Sequence, residues 1–72
     1  MSFERVLLID KCPDKLKWYA SKVGEFVPLL AEEEKEYKSQ EPAGYINFVS
    51  KTDATPLWRD PKTGEVRWKR QA

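Results

Sequence analysis

A glycine and a proline four residues apart restrict the fold more than any other feature of the sequence. Residues 16–30, LKWYASKVGEFVPLL, place apolar side chains at spacings of three and four, as in an amphipathic helix. Pro28 opposes a helix, because it lacks an amide donor and its ring meets the carbonyl of Gly24, at roughly 3 kcal/mol. We therefore predict a short helical turn or structured loop over 13–23, ended by Gly24, and an extended segment over 25–31 with Pro28 at a sheet edge. A helix kinked at Pro28 is the alternative.

Two more segments in the first half of the chain bear on the core. Residues 5–10, RVLLID, form an apolar run of strand length, which predicts a strand buried on both faces and central to a small sheet. Residues 32–40, EEEKEYKSQ, are good helix formers, but Tyr37 alone could face a core, so a helix here would lack an apolar stripe. We interpret this segment as the acidic rim of a hairpin whose returning strand begins at 36–39.

Turn residues divide the second half of the chain. Residues 41–44, EPAG, predict a turn, because proline presets the first turn position and glycine allows positive φ. The strand that follows, YINFV at 45–49, alternates so that Ile46 and Phe48 share one face, which we predict to be the core side. The polar residues 51–55, KTDAT, are predicted to form a connection or one turn of tight helix.

The clearest local signal is a hairpin over 57–68. Residues 60–64, DPKTG, suit a type I turn completed by a left-handed glycine. That turn predicts that Trp58 opposes Arg67, an arrangement in which a guanidinium over an indole is worth about 0.5 to 1 kcal/mol. The pair serves either to hold the hairpin together or to present a stacking surface among basic groups. The other face of the hairpin is predicted to carry Leu57, Arg59, Val66 and Trp68.

Composition limits the chemistry and the location of the protein. With 72 residues the chain has room for one domain, 1–72, and we predict a flexible tail over 69–72. The lone Cys12 and the absence of histidine argue against a disulfide framework, a zinc site and a histidine-activated thiol, so we expect no cofactor. The apolar run 6–9 is too short for a signal peptide or a membrane span. We therefore expect a cytoplasmic protein without membrane association.

Charge is distributed unevenly along the chain. Residues 31–53 have an excess of acidic groups and residues 54–72 an excess of basic ones, although the net charge is +1. This asymmetry either reflects a solvated surface or orients the molecule on a charged partner. A run of carboxylates on an exposed rim lacks the apolar pocket that acid–base catalysis needs, so we do not expect an enzyme. The carboxylates concerned are those of Glu32, Glu33, Glu34 and Glu36.

The predicted order is strand, long structured loop, strand, turn, strand, short polar turn and hairpin, and it resembles that of a small SH3-like barrel. Residues 18–30, WYASKVGEFVPLL, are similar to a segment of small SH3-like proteins, some carried by bacteriophages, in which an aromatic pair precedes a glycine and a strand. We predict a mostly β fold, a small SH3-like barrel with a C-terminal hairpin and one short helix; an α+β fold with a helix near 13–23 is the alternative. The resemblance covers the chain up to the hairpin at 57–68, which is predicted from its turn residues alone. It also implies binding of proline-rich peptides, nucleic acid or other proteins, none of which follows from a fold alone.

We predict a noncatalytic protein-interaction module, because the chain has no catalytic motif and more aromatic residues than so small a core can hide. The alternative is nucleic-acid binding through the basic C-terminal hairpin, with a base stacked on Trp58. The partner is thus another protein or a nucleic acid. The chain itself is a monomer or a weak homodimer, because an exposed edge strand can pair with a second copy. The residues predicted to contact a partner are Trp18, Tyr19, Tyr37, Tyr45, Trp58, Arg59, Arg67, Lys69 and Arg70.

Overall fold

The computed structural model describes residues 3–68, which form two antiparallel sheets and two short 3₁₀ turns. The strands are β1 (Glu4–Ile9), β2 (Phe26–Pro28), β3 (Ala31–Glu32), β4 (Glu36–Gln40), β5 (Ile46–Ser50), β6 (Ala54–Arg59) and β7 (Val66–Arg67). The 3₁₀ turns are Ala20–Lys22 and Lys51–Asp53. The prediction of a mostly β fold is confirmed, and the α+β alternative is wrong, because residues 13–23 contain one 3₁₀ turn and no α-helix. Lys69, Arg70 and the predicted tail lie outside the described residues.

Strand β1 lies at the centre of the first sheet, whose strand order is β2-β1-β6-β7. It pairs antiparallel with β6, so that Leu7 lies opposite Pro56 and Ile9 opposite Ala54. Leu7 and Ile9 are fully buried in the main core, and Val6, on the other face, is buried as well. The prediction of a central strand buried on both faces is confirmed, as expected for a continuous apolar run.

Residues 26–32 connect the two sheets, with β2 in the first and β3 in the second. The amide of Leu29 donates to the carbonyl of Arg5 in β1 at 3.3 Å, and the next amide, that of Leu30, donates to the carbonyl of Lys38 in β4 at 2.9 Å. The second sheet has the order β3-β4-β5, and hydrogen bonds among the described residues do not close the two sheets into a barrel. The predicted barrel is therefore open.

Gly24 and Pro28 take the positions that the sequence predicts. Gly24 has a φ of +85°, and nothing lies within 4 Å of the place where a Cβ would be, so only its backbone conformation requires glycine. Pro28 lies opposite Val6 in β2, the edge strand of the first sheet. Its carbonyl accepts a hydrogen bond at 2.6 Å from the buried Ser39 hydroxyl and so points away from β1. The missing amide faces the same way, where the β1–β2 ladder does not need it.

The face that β5 turns toward the core is the opposite of the predicted one. Tyr37 of β4 lies opposite Val49, and both side chains are buried. Ile46 and Phe48 lie on the other face and are 53% and 40% exposed, so the prediction that they form the core side is wrong. The reason is that Tyr37 is the one large apolar side chain of β4, and its cross-strand partner must share its face.

The C-terminal hairpin pairs β6 with β7 in the predicted register. Gly64 has a φ of +79° and donates its amide to the carbonyl of Asp60 at 2.8 Å. Leu57 is buried, but Val66 and Trp68, which were predicted to share its face, are 42% and 76% exposed. They do not complete an apolar layer, because β7 is a two-residue edge strand paired only with the end of β6.

Candidate functional site

A cleft of about 490 Å³ opens between the loop over 10–25 and strand β5. Its volume falls within the range of roughly 300 to 1,000 Å³ that is typical of ligand sites. Leu16 and Phe48 line it and are 94% and 40% exposed, whereas Trp18 is half-buried. We call this site the Trp18 cleft. Its lining residues are Leu16, Lys17, Trp18, Lys35, Glu36, Asn47, Phe48 and Ser50.

Trp18 joins the loop to β5. Its indole Nε1–H donates to the carbonyl of Phe48 at 2.8 Å. The indole ring packs edge-to-face against the ring of Tyr19, with the ring centroids 5.6 Å apart. Because the single polar atom of the indole is already hydrogen-bonded, the remaining surface of the ring is apolar. Trp18, predicted as a contact residue, thus lies at a concave surface.

Tyr19 is a core residue that fastens the loop to the 3₁₀ turn Lys51–Asp53. Its ring is fully buried, and its hydroxyl donates to Oδ2 of Asp53 at 2.6 Å and accepts the amide of Ser50 at 3.3 Å. Burial raises the pKa of Tyr19, and the hydrogen bond to Asp53 raises it further. The Tyr19 side chain, as a hydrogen-bond partner, in turn raises the pKa of Lys17, whose Nζ lies 5.7 Å from the ring centroid. A fully buried ring offers no contact surface, which corrects the prediction that Tyr19 binds a partner.

Tyr37 is likewise a core residue and not a contact residue. It is 7% exposed and belongs to the main apolar cluster. The ammonium of Lys51 lies 5.4 Å from its ring centroid and forms an ion pair of 2.7 Å with Glu32. The hydrogen bond from Lys51 lowers the pKa of Glu32, and the charges of Lys51 and Arg5 lower it further. The buried ring and its covering ion pair leave Tyr37 without access to a partner.

Exposed apolar surface continues from the Trp18 cleft along β5. Ile46 shares a face with Phe48 and is 53% exposed. Tyr45, at the turn before the strand, is 71% exposed, as a contact residue should be. The neighbours of Ile46 and Phe48 across β4 are the polar side chains of Gln40 and Lys38. The apolar strip is therefore narrow and bordered by polar groups.

A second surface lies on the first sheet, where Arg5, Trp58 and Arg67 are cross-strand neighbours. The guanidinium of Arg5 lies 5.6 Å from the ring centroid of Trp58, and that of Arg67 lies 5.5 Å from the ring centroid of Phe3. We call these four residues the arginine–aromatic row. Arg67 also forms an ion pair of 2.7 Å with Glu65. The cations of the row lie at distances at which they are attracted to the aromatic faces.

Arg59 lies apart from this row. Its Nε and Nη2 atoms donate to Oε2 of Glu4 at 3.1 and 2.7 Å, and its guanidinium lies 5.3 Å from the ring centroid of Phe26. The predicted cluster of basic groups around Trp58 therefore includes Arg67 but not Arg59. The other predicted members, Lys69 and Arg70, are not among the described residues.

Leu16 and Phe48, the two exposed apolar residues of the cleft, were not predicted from the sequence as contact residues. Counting back from a four-residue turn at 41–44 pairs Tyr37 with Phe48 and so turns Phe48 toward the core. The observed register pairs Tyr37 with Val49 instead, because the hydrogen bonds leave a three-residue loop, 42–44, between the strands. Leu16 carries no signal either, because its apolar spacing within 16–30 is that of a core helix.

No family model, curated protein or solved structure matches this chain. Among residues 3–68, no helix is long and apolar enough to cross a membrane. The same residues contain no group of three or more metal-ligating side chains placed to hold an ion. Cys12 is half-buried, and its thiol donates to the carbonyl of Asp14 at 3.1 Å.

Proposed function

We propose that this chain is a noncatalytic protein-interaction module that binds another protein through the Trp18 cleft. The observation that carries the proposal is the exposure of Leu16 and Phe48 in one concave site beside the half-buried Trp18. Apolar side chains clustered in this way are typical of contact surfaces, in which a few aromatic and aliphatic anchors supply most of the binding energy. The hydrogen-bonded indole of Trp18 supplies such an anchor.

Leu16 makes the proposal measurable, because it can be changed without touching the core. It is 94% exposed, so a partner that covers it removes almost the whole side chain from water. Full burial of a leucine contributes about 1.5 to 3 kcal/mol. Since about 1.4 kcal/mol corresponds to a factor of ten in Kd, Leu16→Asp should weaken binding at least tenfold. The stability of the free protein should not change.

The order of the elements supports the same proposal. A long loop that carries Trp18 joins β1 to β2, and the 3₁₀ turn Lys51–Asp53 leads into β6, the neighbour of β1. We infer that the chain is an open variant of the SH3-like architecture, whose members include domains that bind other proteins. The free thiol of Cys12 is compatible with a reducing compartment, so we place the module in the cytoplasm.

The test is capture of the partner from nuclease-treated lysate by three tagged proteins: the wild type, Leu16→Asp and Val66→Asp. The control residue Val66 is 42% exposed and lies on β7, outside the Trp18 cleft. We expect a discrete protein band with the wild type and with Val66→Asp, and loss of that band with Leu16→Asp. Equal recovery by all three proteins would refute the cleft as the contact site.

A second function, nucleic-acid binding, is favoured by the arginine–aromatic row. Its guanidinium groups can bind phosphates, and a base stacked on an aromatic ring is worth about 1 to 3 kcal/mol. The test is fluorescence anisotropy of a labelled single-stranded oligonucleotide over a salt series. If the row binds the oligonucleotide, Arg5→Gln combined with Arg67→Gln should make the negative slope of log K against log salt shallower by about 1.4. An unchanged slope would exclude the row as a phosphate contact.

A further inference from the structure

Strand β5 lacks the features that usually protect an edge strand. Its sequence, INFVS, contains no charged residue and no proline. It lies at the end of the second sheet, and its apolar residues Ile46 and Phe48 are half exposed. An edge strand offers unpaired backbone groups to another chain, and uncharged segments rich in β-branched and aromatic residues are the ones most prone to such pairing. Protection of this edge must therefore come from elsewhere.

Three side-chain hydrogen bonds occupy the edge instead. The carbonyl of Phe48 accepts Nε1–H of Trp18 at 2.8 Å, and the amide of Phe48 donates to Oδ1 of Asn47 at 2.8 Å. The amide of Ser50 donates to the hydroxyl of Tyr19 at 3.3 Å. Because alternate residues of a strand direct their amide and carbonyl to the same side, these are the groups that point away from β4. Three of the groups that a further strand would use, the amide and carbonyl of Phe48 and the amide of Ser50, are thus already hydrogen-bonded.

We propose that the outer edge of β5 can pair with the same edge of a second copy of this chain, and that the hydrogen bonds that Trp18, Tyr19 and Asn47 form with this edge prevent the pairing. This pairing is independent of the protein that we propose to bind the Trp18 cleft, because it requires only a second copy of this chain. Trp18 contributes to both, since its indole lines the cleft and its Nε1–H occupies the edge.

The geometry of the edge fits a second copy because it is self-complementary. Phe48 offers one donor and one acceptor on the same side, so two antiparallel copies can exchange both hydrogen bonds about a two-fold axis at Phe48. Ile46 of each copy then lies opposite Ser50 of the other. No like charges meet in this register, because β5 has no charged residue. The pairing is isologous and closes after two copies.

The test removes two of the three hydrogen bonds with small changes in volume, using Trp18→Phe combined with Asn47→Ala. Sedimentation velocity should give the monomer mass of 8.4 kDa for the wild type at all concentrations, and twice that mass for the double variant as concentration rises. In the double variant, the amide of Phe48 should exchange with solvent more slowly at concentrations at which the dimer forms than at concentrations at which the variant is monomeric. A matched control, Gln40→Ala combined with Tyr45→Phe, alters neighbouring positions without freeing the edge and should stay monomeric.

Adding Phe48→Lys to the double variant tests the pairing mode. Two ammonium groups then lie side by side at the two-fold axis, so the mass should return to that of the monomer. The proposal is overturned if the folded double variant stays monomeric at millimolar concentration. It is also overturned if its dimer survives Phe48→Lys but is lost with Leu16→Asp, since the contact then lies in the cleft. If circular dichroism finds the double variant unfolded, each single variant is measured instead under the same criteria.

Discussion

Replacement of Tyr19 by phenylalanine removes a single oxygen atom from the core and tests how the long loop is held. The hydroxyl donates to Asp53 at 2.6 Å and accepts the amide of Ser50 at 3.3 Å. Asp53 is only 4% exposed, so water cannot easily replace the lost donor. Its other carboxylate oxygen keeps a contact with the hydroxyl of Thr52 at 3.3 Å. The variant therefore leaves a buried carboxylate short of one strong hydrogen bond.

The size of the effect follows from these contacts. A hydrogen bond to a charged group contributes about 1.5 to 3 kcal/mol, and a buried polar group left unsatisfied costs a similar amount. The phenyl ring stays in place, so no large cavity term is added. We expect the free energy of unfolding to fall by about 2 kcal/mol, which lowers the Tm of a domain of this size by roughly 8 to 16 °C.

The measurement is urea unfolding followed by tryptophan fluorescence, with a thermal scan by circular dichroism. The matched control is Tyr45→Phe, because Tyr45 is 71% exposed and the same atom is removed from solvent-facing surface. The control should change stability by less than about 0.5 kcal/mol. If Tyr19→Phe is as mild as the control, the hydrogen bond to Asp53 does not hold the loop and the reasoning is refuted.

Three other predictions concern pH and backbone conformation. Because folding raises the pKa of Tyr19, the unfolded state loses the tyrosine proton at a lower pH than the folded state. The urea midpoint should therefore decline above about pH 10, and it should decline less steeply in Tyr19→Phe. Equal declines in the two proteins would contradict this prediction. Gly24→Ala should lower the free energy of unfolding by about 1 to 2 kcal/mol through its positive φ alone, whereas Ser21→Ala in the neighbouring turn should have no effect in the same urea assay. Lys51→Met should raise the lowered pKa of Glu32 toward 4.5 in an NMR titration, and an unchanged value would exclude the ion pair as its cause. The stabilisation from this pair in the wild type should vanish as the pH falls through that lowered pKa.

Local sequence signals predicted most of the strands and turns. Gly24 and Pro28 each impose a backbone geometry that few residues tolerate, so their positions predicted the end of the loop and the edge strand. The turn at 60–64 likewise predicted the register of the C-terminal hairpin. What these signals do not contain is how the two sheets are joined. That depends on adjacent amides, those of Leu29 and Leu30, bonding to different sheets, and such a change of partner strand leaves no compositional mark.

The candidate site was harder to predict than the fold, because burial of an aromatic ring depends on long-range packing. Trp18 and Tyr19 are adjacent in the sequence, yet one lines a cleft and the other is fully buried against Asp53. Arg5 was assigned to a buried strand, and only the pairing of β1 with β6 places it beside Trp58. Residues brought together from opposite ends of the chain carry no signal in either segment alone.

The pairing of β1 with β6 also affects when the protein can fold. Hydrogen-bonded partners in these two strands lie 45 to 55 residues apart along the chain. During synthesis β1 leaves the ribosome early, but its longest neighbour is missing until residues 54–59 have emerged. Until then the apolar side chains of Leu7 and Ile9 lack part of the core that buries them in the folded protein, and the incomplete sheet is accessible to chaperones. Such distant contacts slow folding, so β1 pairs with β6 only once β6 has cleared the ribosomal tunnel.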